Sequence, residues 1–201
     1  MFLIQDITIK QRSVHLYIQP NTSILMKISR ISILLLSLFA VACSKNTIPE
    51  KATAVSPFEI DKYLGTWYEI ARIDFFFEKG LNNTTATYSL KDNGLIQVDN
   101  KGYDYKKDKW KQSIGKAKFV GAKDVAKLQV SFFGPFYSGY NVIALDDYKY
   151  ALVAGESLDY LWILSREKTI PEDIKTSYLN LAKEIGYDTS RLLWVEHDKI
   201  K

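Results

Sequence analysis

Cysteine and histidine are scarce in this sequence of 201 residues, which has one Cys and two His. A single Cys excludes an internal disulfide, so a folded domain must be stabilised by its core alone. Only His197 lies in the second half of the chain, and a His/Cys metal cluster or a Ser-His-Asp arrangement is therefore not expected. A glycine-rich phosphate loop is also missing. We predict no catalytic residues, no metal, no cofactor and no enzymatic activity.

Most of the chain also lacks an excess of charge of one sign. The net charge is +4, but residues 1–42 alone contribute +3 of it. The remaining residues are almost neutral, whereas phosphate binding needs clustered Lys and Arg side chains. Nucleic acid is therefore not an expected partner.

A long apolar run suited to a membrane-spanning helix is missing, but a shorter run is present. Ile31–Val41 follows a short positive stretch with Lys27 and Arg30, and it leads into Ala40-Val41-Ala42-Cys43. A run of this length is typical of a signal peptide, whereas a permanent span needs about 20 apolar residues. The ending resembles the lipobox of bacterial lipoproteins, in which the Cys carries the acyl chains. The alternative is a cleaved secretory signal with an unrelated Cys beside it.

These features divide the chain into four predicted parts. Residues 26–42 are the lipoprotein signal peptide, and residues 1–25 are interpreted as an over-extended start before it. Residues 43–57 comprise the lipidated cysteine and a polar, flexible tether. Residues 58–201 form the folded domain. Ser44 stands where an Asp would favour the inner membrane, so by analogy with other lipoproteins we expect an outer-membrane anchor, with the domain facing the periplasm.

The folded part is rich in strand-forming residues, since aromatic residues make up 13% of the chain. From Phe58 onward, short alternating runs are separated by turn residues, as in a meander of antiparallel hairpins. No connection between them is long enough for a crossover helix. The eight predicted strands are Thr66–Ile73, Thr84–Leu90, Leu95–Tyr103, Trp110–Val120, Leu128–Phe133, Tyr140–Leu145, Tyr150–Ala154 and Tyr160–Ser165.

One amphipathic helix follows the strands. Ile174, Tyr178, Leu181 and Ile185 recur at helical spacing, and a glycine ends the pattern. A last short strand is predicted over Leu192–Val195. Eight antiparallel strands can close into a barrel with room for one small ligand or can form a sandwich, and the number of strands leaves both open.

Three short motifs favour the barrel. Gly65-Thr66-Trp67 resembles the Gly-X-Trp signature of the lipocalins, and Leu145–Tyr148 and Leu161–Arg166 resemble their second and third conserved regions. The motifs occur in order and at lipocalin spacing within residues 58–195. The run Ser131–Tyr137 is similar to bacterial lipocalins and apolipoprotein D. The resemblance implies an all-β fold, an eight-stranded antiparallel up-and-down β-barrel with one C-terminal α-helix packed outside.

The resemblance also implies structural roles for Gly65, Trp67 and Arg166. In the family, the Trp lies across one end of the barrel and the Arg packs on the face of its indole ring. The Gly lets the backbone pass close beneath that ring. A catalytic role is not expected for any of the three.

Side chains alternate between the two faces of a strand, so parity counted from the motifs places a mostly apolar set inside the barrel. This parity also turns Ala144 inward. In a lipocalin these residues line a cavity, and the alternative is that they fill the barrel. The predicted ligand-binding residues are Glu69, Ala71, Ala86, Tyr88, Val98, Phe119, Val130, Phe132, Tyr140, Val142, Val153, Tyr160, Trp162 and Leu164.

Three consecutive phenylalanines, Phe75, Phe76 and Phe77, follow the first strand. They fall in the long first loop, which lies over the open mouth in lipocalins. Three Phe in a row are unusual in a loop exposed to water. We interpret them as a lid over the ligand, and the alternatives are a membrane-facing patch, a homodimer contact or a cover for the side wall.

The predicted function is the binding, storage or transport of a fatty acid or lysophospholipid at the bacterial outer membrane. Apolar walls with a few hydroxyl groups suit an acyl chain whose polar head lies at the mouth. One alternative is a non-catalytic envelope scaffold that binds a protein partner. Another is a weak esterase that uses Glu69, although a buried ion pair also explains this carboxylate.

Overall fold

The computed structural model describes residues 47–199, which contain nine strands, two α-helices and one 3₁₀ turn. In chain order these are α1 (Ile60–Tyr63), β1 (Gly65–Ile73), β2 (Leu81–Leu90), β3 (Ile96–Asp104), β4 (Lys109–Phe119), β5 (Lys127–Ser131), β6 (Ser138–Asp146), β7 (Tyr150–Ala154), β8 (Leu161–Ser165), α2 (Glu172–Ile185), the 3₁₀ turn (Thr189–Arg191) and β9 (Leu192–Trp194).

The strands form a closed barrel. Each strand from β1 to β7 pairs antiparallel with the next, and β8 pairs back with β1, where Glu69 lies opposite Leu164. β9 pairs with the last part of β1, with Arg72 opposite Leu193. Closure removes both sheet edges, which a sandwich would leave. The predicted eight-stranded barrel with one C-terminal helix is confirmed, whereas α1 was not predicted.

Apolar side chains form two cores, one on each side of the barrel wall. The inner core contains Trp67, Val98 and Val153. The outer core lies between the wall and α2, where Tyr178 is buried and its hydroxyl donates a hydrogen bond to Asp146 Oδ2 at 2.6 Å. Gly186 caps the C-terminal end of α2, and its φ of +116° is the left-handed conformation that glycine adopts readily.

Among the described residues, three strand pairings contain a register shift, and the shifts in β1 and β6 change the face on which predicted residues lie. The pairing of β1 with β8 shifts between Glu69 and Ala71, and the pairing of β6 with β7 shifts between Val142 and Ala144. A bulge adds one residue to a strand, so residues beyond it exchange faces. Ala71 and Ala144 therefore belong to the outer core. Their predicted inward positions are wrong, and Ala71 does not line the cavity.

The segment before α1 is bound to the barrel. Asn141 Nδ2 donates a hydrogen bond to the carbonyl oxygen of Thr47 at 2.6 Å, and the backbone N–H of Val55 donates to the carbonyl of Val142 at 2.9 Å. Residues 47–57 therefore differ from the flexible tether predicted for this part of the chain. Backbone hydrogen bonds of this kind leave no periodic signal in the sequence.

Residues 1–46 lie outside the described part of the chain. The signal peptide and the lipid anchor at Cys43 fall there and stay predictions. Within residues 47–199, no helix is both long enough and apolar enough to cross a membrane.

Candidate ligand-binding site

Aromatic side chains seal one end of the barrel, called the closed end below. Trp67 is fully buried, and its Nε1 donates a hydrogen bond to the carbonyl oxygen of Tyr63 at 2.8 Å. The centroids of the Tyr63 and Trp67 rings are 4.7 Å apart, and the Phe58 ring lies 5.3 Å from Tyr63. Packed rings of this kind bury large apolar area and exclude water. We therefore expect a ligand to enter from the other end.

Arg166 holds α1 over the closed end. Its guanidinium carbon lies 3.9 Å from the centre of the Trp67 ring, and its Nη2 donates hydrogen bonds to the carbonyls of Tyr63 and Leu64 at 3.1 and 2.9 Å. A cation is favourable at the C-terminal end of a helix, where carbonyls lack partners. Gly65 has a φ of +90°, a backbone conformation that is strained for a residue with a side chain. The structure thus brings the three predicted closing residues together.

A cavity of about 590 Å³ extends from the middle of the barrel to the opposite, open end. Its floor is Tyr140, whose hydroxyl lies 2.8 Å from that of Tyr63 and 2.7 Å from that of Tyr88. Burial raises the pKa of all three tyrosines, so their hydroxyls stay neutral at physiological pH. The volume lies within the range of roughly 300–1,000 Å³ that is typical of small-molecule sites.

Most of the predicted ligand-binding residues line this cavity. Phe119, Val142 and Val153 do not: they pack in the inner core, away from the cavity surface. Ala71 lies on the outer face, as described above. The predicted residues that line the cavity are Glu69, Ala86, Tyr88, Val98, Val130, Phe132, Tyr140, Tyr160, Trp162 and Leu164.

Strict alternation of side chains along β1 failed to predict a buried arginine. Arg72 is fully buried beside the cavity, and its Nη1 lies 2.7 Å from Glu69 Oε1. Its Nε lies 3.0 Å from Asp74 Oδ1 and 3.8 Å from Glu78 Oε2. The bulge in β1 turns Arg72 to the same face as Glu69. The signal in the sequence was the apolar pair between these two charges, which breaks strict alternation.

Burial shifts the titration of two carboxyl groups in this cluster. It raises the pKa of Glu69, and the positive charge of Arg72 opposes the shift. It also raises the pKa of Glu78 to about 8, and the nearby charge of Glu69 adds to the shift. Trp162 Nε1 donates a hydrogen bond to Glu78 Oε2 at 3.2 Å. Because three carboxyl groups surround one guanidinium, a proton on Glu78 relieves the excess negative charge.

Polar groups also lie on the opposite wall, formed by β3 and β4. Lys111 Nζ lies 2.8 Å from Asp104 Oδ2, and this contact holds the pKa of Asp104 below its usual value. Asn100 Oδ1 is buried without a hydrogen-bond partner among residues 47–199. Ser113, in the register position opposite Asn100, also lines the cavity. Extending the parity of Val98 along β3 would have found the inward position of Asn100.

The three consecutive phenylalanines take different positions at the mouth. Phe75 packs on Trp162 and Tyr160, with ring centroids 5.8 and 5.6 Å away. Phe77 reaches across to Phe133, with centroids 5.5 Å apart, and both Phe75 and Phe77 line the cavity. Phe76 does not line it and is 85% exposed. The lid interpretation therefore suits two of the three side chains.

Comparison with known proteins agrees with this geometry. Residues 58–197 match the lipocalin-like domain family. The chain is a lipocalin. It is 55% identical over 157 residues to the outer membrane lipoprotein Blc of Escherichia coli K12, which covers 78% of this chain and 89% of the relative. The Vibrio cholerae protein of the same name is 46% identical, over 74% of this chain and 88% of the relative.

More distant matches in sequence and in structure agree with this assignment. Mouse apolipoprotein D is 36% identical to this lipocalin, with 67% of this chain and 75% of the relative covered. The cockroach allergen Per a 4 has a TM-score of 0.59 at 22% identity, over 75% of this chain and 95% of the allergen. At that identity the structural likeness shows the fold alone.

The relatives also bear on location and activity. The bacterial ones are named as outer membrane lipoproteins, and the predicted lipid-anchored location at the outer membrane is confirmed, whereas attachment through Cys43 itself stays a prediction. Lipocalins are in general binding proteins whose barrels hold a small ligand, rather than catalysts. This lipocalin therefore belongs to a family of carriers of small hydrophobic molecules.

Proposed function

We propose that this lipocalin binds a long-chain fatty acid or a lysophospholipid in its barrel and stores or transports it at the outer membrane, anchored through Cys43. The observation that carries the proposal is the cavity of about 590 Å³ with apolar walls, which has one open end. Burial of an acyl chain is favourable by about 0.8 kcal/mol for each methylene removed from water. A site of this shape suits a ligand with one long apolar tail.

Polar groups on both sides of the mouth favour the lysophospholipid. Lys111 lines the cavity on one wall and can face a phosphate, while the Glu78 carboxyl group lines it on the other and can accept a hydrogen bond from an ammonium group. Asn100 Oδ1, buried without a partner among the described residues, can accept a hydrogen bond from a glycerol hydroxyl. A fatty acid would use the lysine alone.

A catalytic role for Glu69 has less support. Its carboxylate lies 2.7 Å from Arg72 Nη1, in an ion pair that is buried on both sides. The guanidinium engages a carboxylate oxygen and so competes with any reacting group for it. We infer that Glu69 and Arg72 stabilise the wall of the cavity and that the protein is not an esterase.

The experiment is a titration of the delipidated mature protein with palmitate and with lysophosphatidylethanolamine, followed by Trp emission. Trp162 lines the cavity, so a bound tail changes its surroundings. Ser113→Phe places a ring inside the cavity and should weaken binding about tenfold or more, because it displaces at least two buried methylenes. Ser89→Phe is the matched control, since Ser89 is exposed on the outer face of β2.

The control variant should bind both lipids as the unmodified protein does. If saturating lipid changes neither the Trp emission nor the melting temperature of the unmodified protein, the binding proposal is wrong, and the scaffold alternative becomes the better account. If only palmitate binds, the protein does not recognise a phospholipid headgroup, but the binding of an acyl chain in the cavity is supported.

A further inference from the structure

The open end of the barrel carries an apolar surface in contact with water. Four side chains form it, and we call them the phenylalanine rim: Phe76, Phe77, Phe133 and Phe136, which are 85%, 64%, 62% and 77% exposed. They come from the β1–β2 and β5–β6 loops on two sides of the mouth. A contiguous exposed apolar patch of this kind marks a surface that is covered by a partner.

The N-terminal segment ends beside the same mouth. Thr47, the first described residue, accepts a hydrogen bond from Asn141 at 2.6 Å, and its carbonyl lies against Gly139. Gly139 and its neighbour Ser138 line the cavity at the start of β6. From there the segment runs along the barrel toward the closed end, where Phe58 packs on Tyr63. The chain therefore leaves the barrel at the open end.

The remaining distance to the anchor is short. Cys43 precedes Thr47 by four residues, and a fully extended chain spans at most about 3.5 Å per residue. The acyl chains on Cys43 therefore begin within about 14 Å of Thr47. A tether of this length holds the mouth, rather than the closed end, next to the bilayer.

The charge at the open end fits a bacterial lipid surface. Lys79 is exposed in the β1–β2 loop, and Lys106, Lys107 and Lys109 are exposed in and beside the β3–β4 turn. Lysines near a membrane are attracted to its anionic headgroups. In contrast, a second copy of the chain would bring the same lysines against each other. The charges thus favour lipid as the occupant of this face.

We propose that the phenylalanine rim docks into the membrane leaflet that holds the acyl chains of Cys43, with the cavity mouth facing the bilayer. This inference rests on the proposed anchoring at Cys43. A ligand can then pass between bilayer and cavity without crossing water, because the mouth and the acyl chains of the membrane are in direct contact. On docking, acyl chains replace the water around the four rings, as they do around the apolar residues of interfacial anchors.

Depth-dependent quenching tests the orientation. The acylated protein is placed in phosphatidylethanolamine and phosphatidylglycerol vesicles that contain doxyl-labelled lipid, and a thiol-reactive fluorophore is attached at Phe76→Cys or Phe136→Cys. Because Cys43 is acylated, the new thiol is the one that reacts. Asp92→Cys is the control, in the exposed β2–β3 turn at the closed end. We expect strong quenching at 76 and 136 and none at 92; equal quenching at 92, or none at 76, overturns the proposal.

A second measurement separates this inference from the proposed anchor. Unacylated Cys43→Ser protein should bind the same vesicles weakly, and Phe76→Ser combined with Phe136→Ser should lower that binding about tenfold or more. Leu90→Ser, at an exposed apolar residue near the closed end, should leave it unchanged. If binding by the double variant equals that of its parent, or if the rim instead forms a dimer in sedimentation, the docking proposal is wrong.

The three proposals fail in different ways. The mass of the N-terminal peptide reports whether Cys43 is acylated, and Trp emission reports whether the cavity holds lipid. If acylation is missing, the anchor is wrong, yet the vesicle binding of the Cys43→Ser protein still decides whether the rim docks. If both are present and the label at 76 stays unquenched, only the orientation is wrong.

Discussion

The guanidinium carbon of Arg166 lies 3.9 Å from the centre of the Trp67 ring, and the same side chain donates hydrogen bonds to the carbonyls at the end of α1. Arg166 therefore joins two functions in one position. It covers the face of the buried indole, and it gives partners to carbonyls that the short helix leaves free. The closed end depends on both contacts, because α1 has four residues and cannot be stable alone.

Arg166→Ala should lower the free energy of unfolding by about 2–4 kcal/mol, from the lost cation–π contact and the lost charged hydrogen bonds. Urea unfolding followed by Trp emission measures the change. Arg166→Lys keeps the charge but loses the planar fork, so an intermediate loss is expected. A change in Arg166→Ala below about 0.5 kcal/mol would show that α1 does not depend on this side chain.

The raised pKa of Glu78 predicts how stability changes with pH. The fold raises this pKa from 4.5 to about 8, mainly by burial. Between these values the folded protein holds a proton that the unfolded chain releases, so the contribution is present below the lower value and is lost as pH rises through about 8. Glu78→Gln removes this titration and keeps an oxygen that can accept from Trp162.

The melting temperature of Glu78→Gln, relative to the unmodified protein, should therefore rise as the pH increases from about 5 to about 9. Thermal unfolding across this range measures the difference. Asp92→Asn is the control, because Asp92 is exposed in a turn, and its curve should run parallel to that of the unmodified protein. A parallel curve for Glu78→Gln would mean that Glu78 is charged in the fold.

Local motifs and strand alternation predicted the barrel, the closed end and most of the cavity wall. Trp67 and Arg166 were identified because their motifs resemble those of the lipocalins, occur in order at lipocalin spacing and are followed by the expected helix. Alternation failed at Ala71 and Ala144, where Ile-Ala pairs occupy the two bulges. A bulge depends on pairing with a neighbouring strand, which one strand's own pattern does not contain. The position of Arg72 was lost for the same reason.

A larger side chain at position 71 tests whether Ala71 lies on the outer face. Ala71→Leu adds bulk to the outer core, where Ala71 is fully buried, and overpacking should lower stability by about 1–3 kcal/mol. Its lipid affinity should stay unchanged, since the side chain points away from the cavity. Ala86→Leu adds the same bulk inside and should weaken lipid binding. Equal effects of the two variants on lipid affinity would contradict the bulge.

The contact between Phe77 and Phe133 predicts a role in ligand release. These rings lie 5.5 Å apart across the mouth, and an aromatic pair contributes about 0.5–1.5 kcal/mol. Phe77→Ala should therefore raise the dissociation rate of a bound lipid by about 2- to 10-fold, because the lid opens more easily. Stopped-flow transfer of a fluorescent fatty acid to excess acceptor protein measures this rate in the absence of vesicles.

Phe76→Ala is the matched control: Phe76 is exposed and does not line the cavity, so its removal should weaken membrane docking without changing release in solution. If Phe76→Ala releases lipid faster, or if Phe77→Ala releases it at the unmodified rate, the loop does not close in this way.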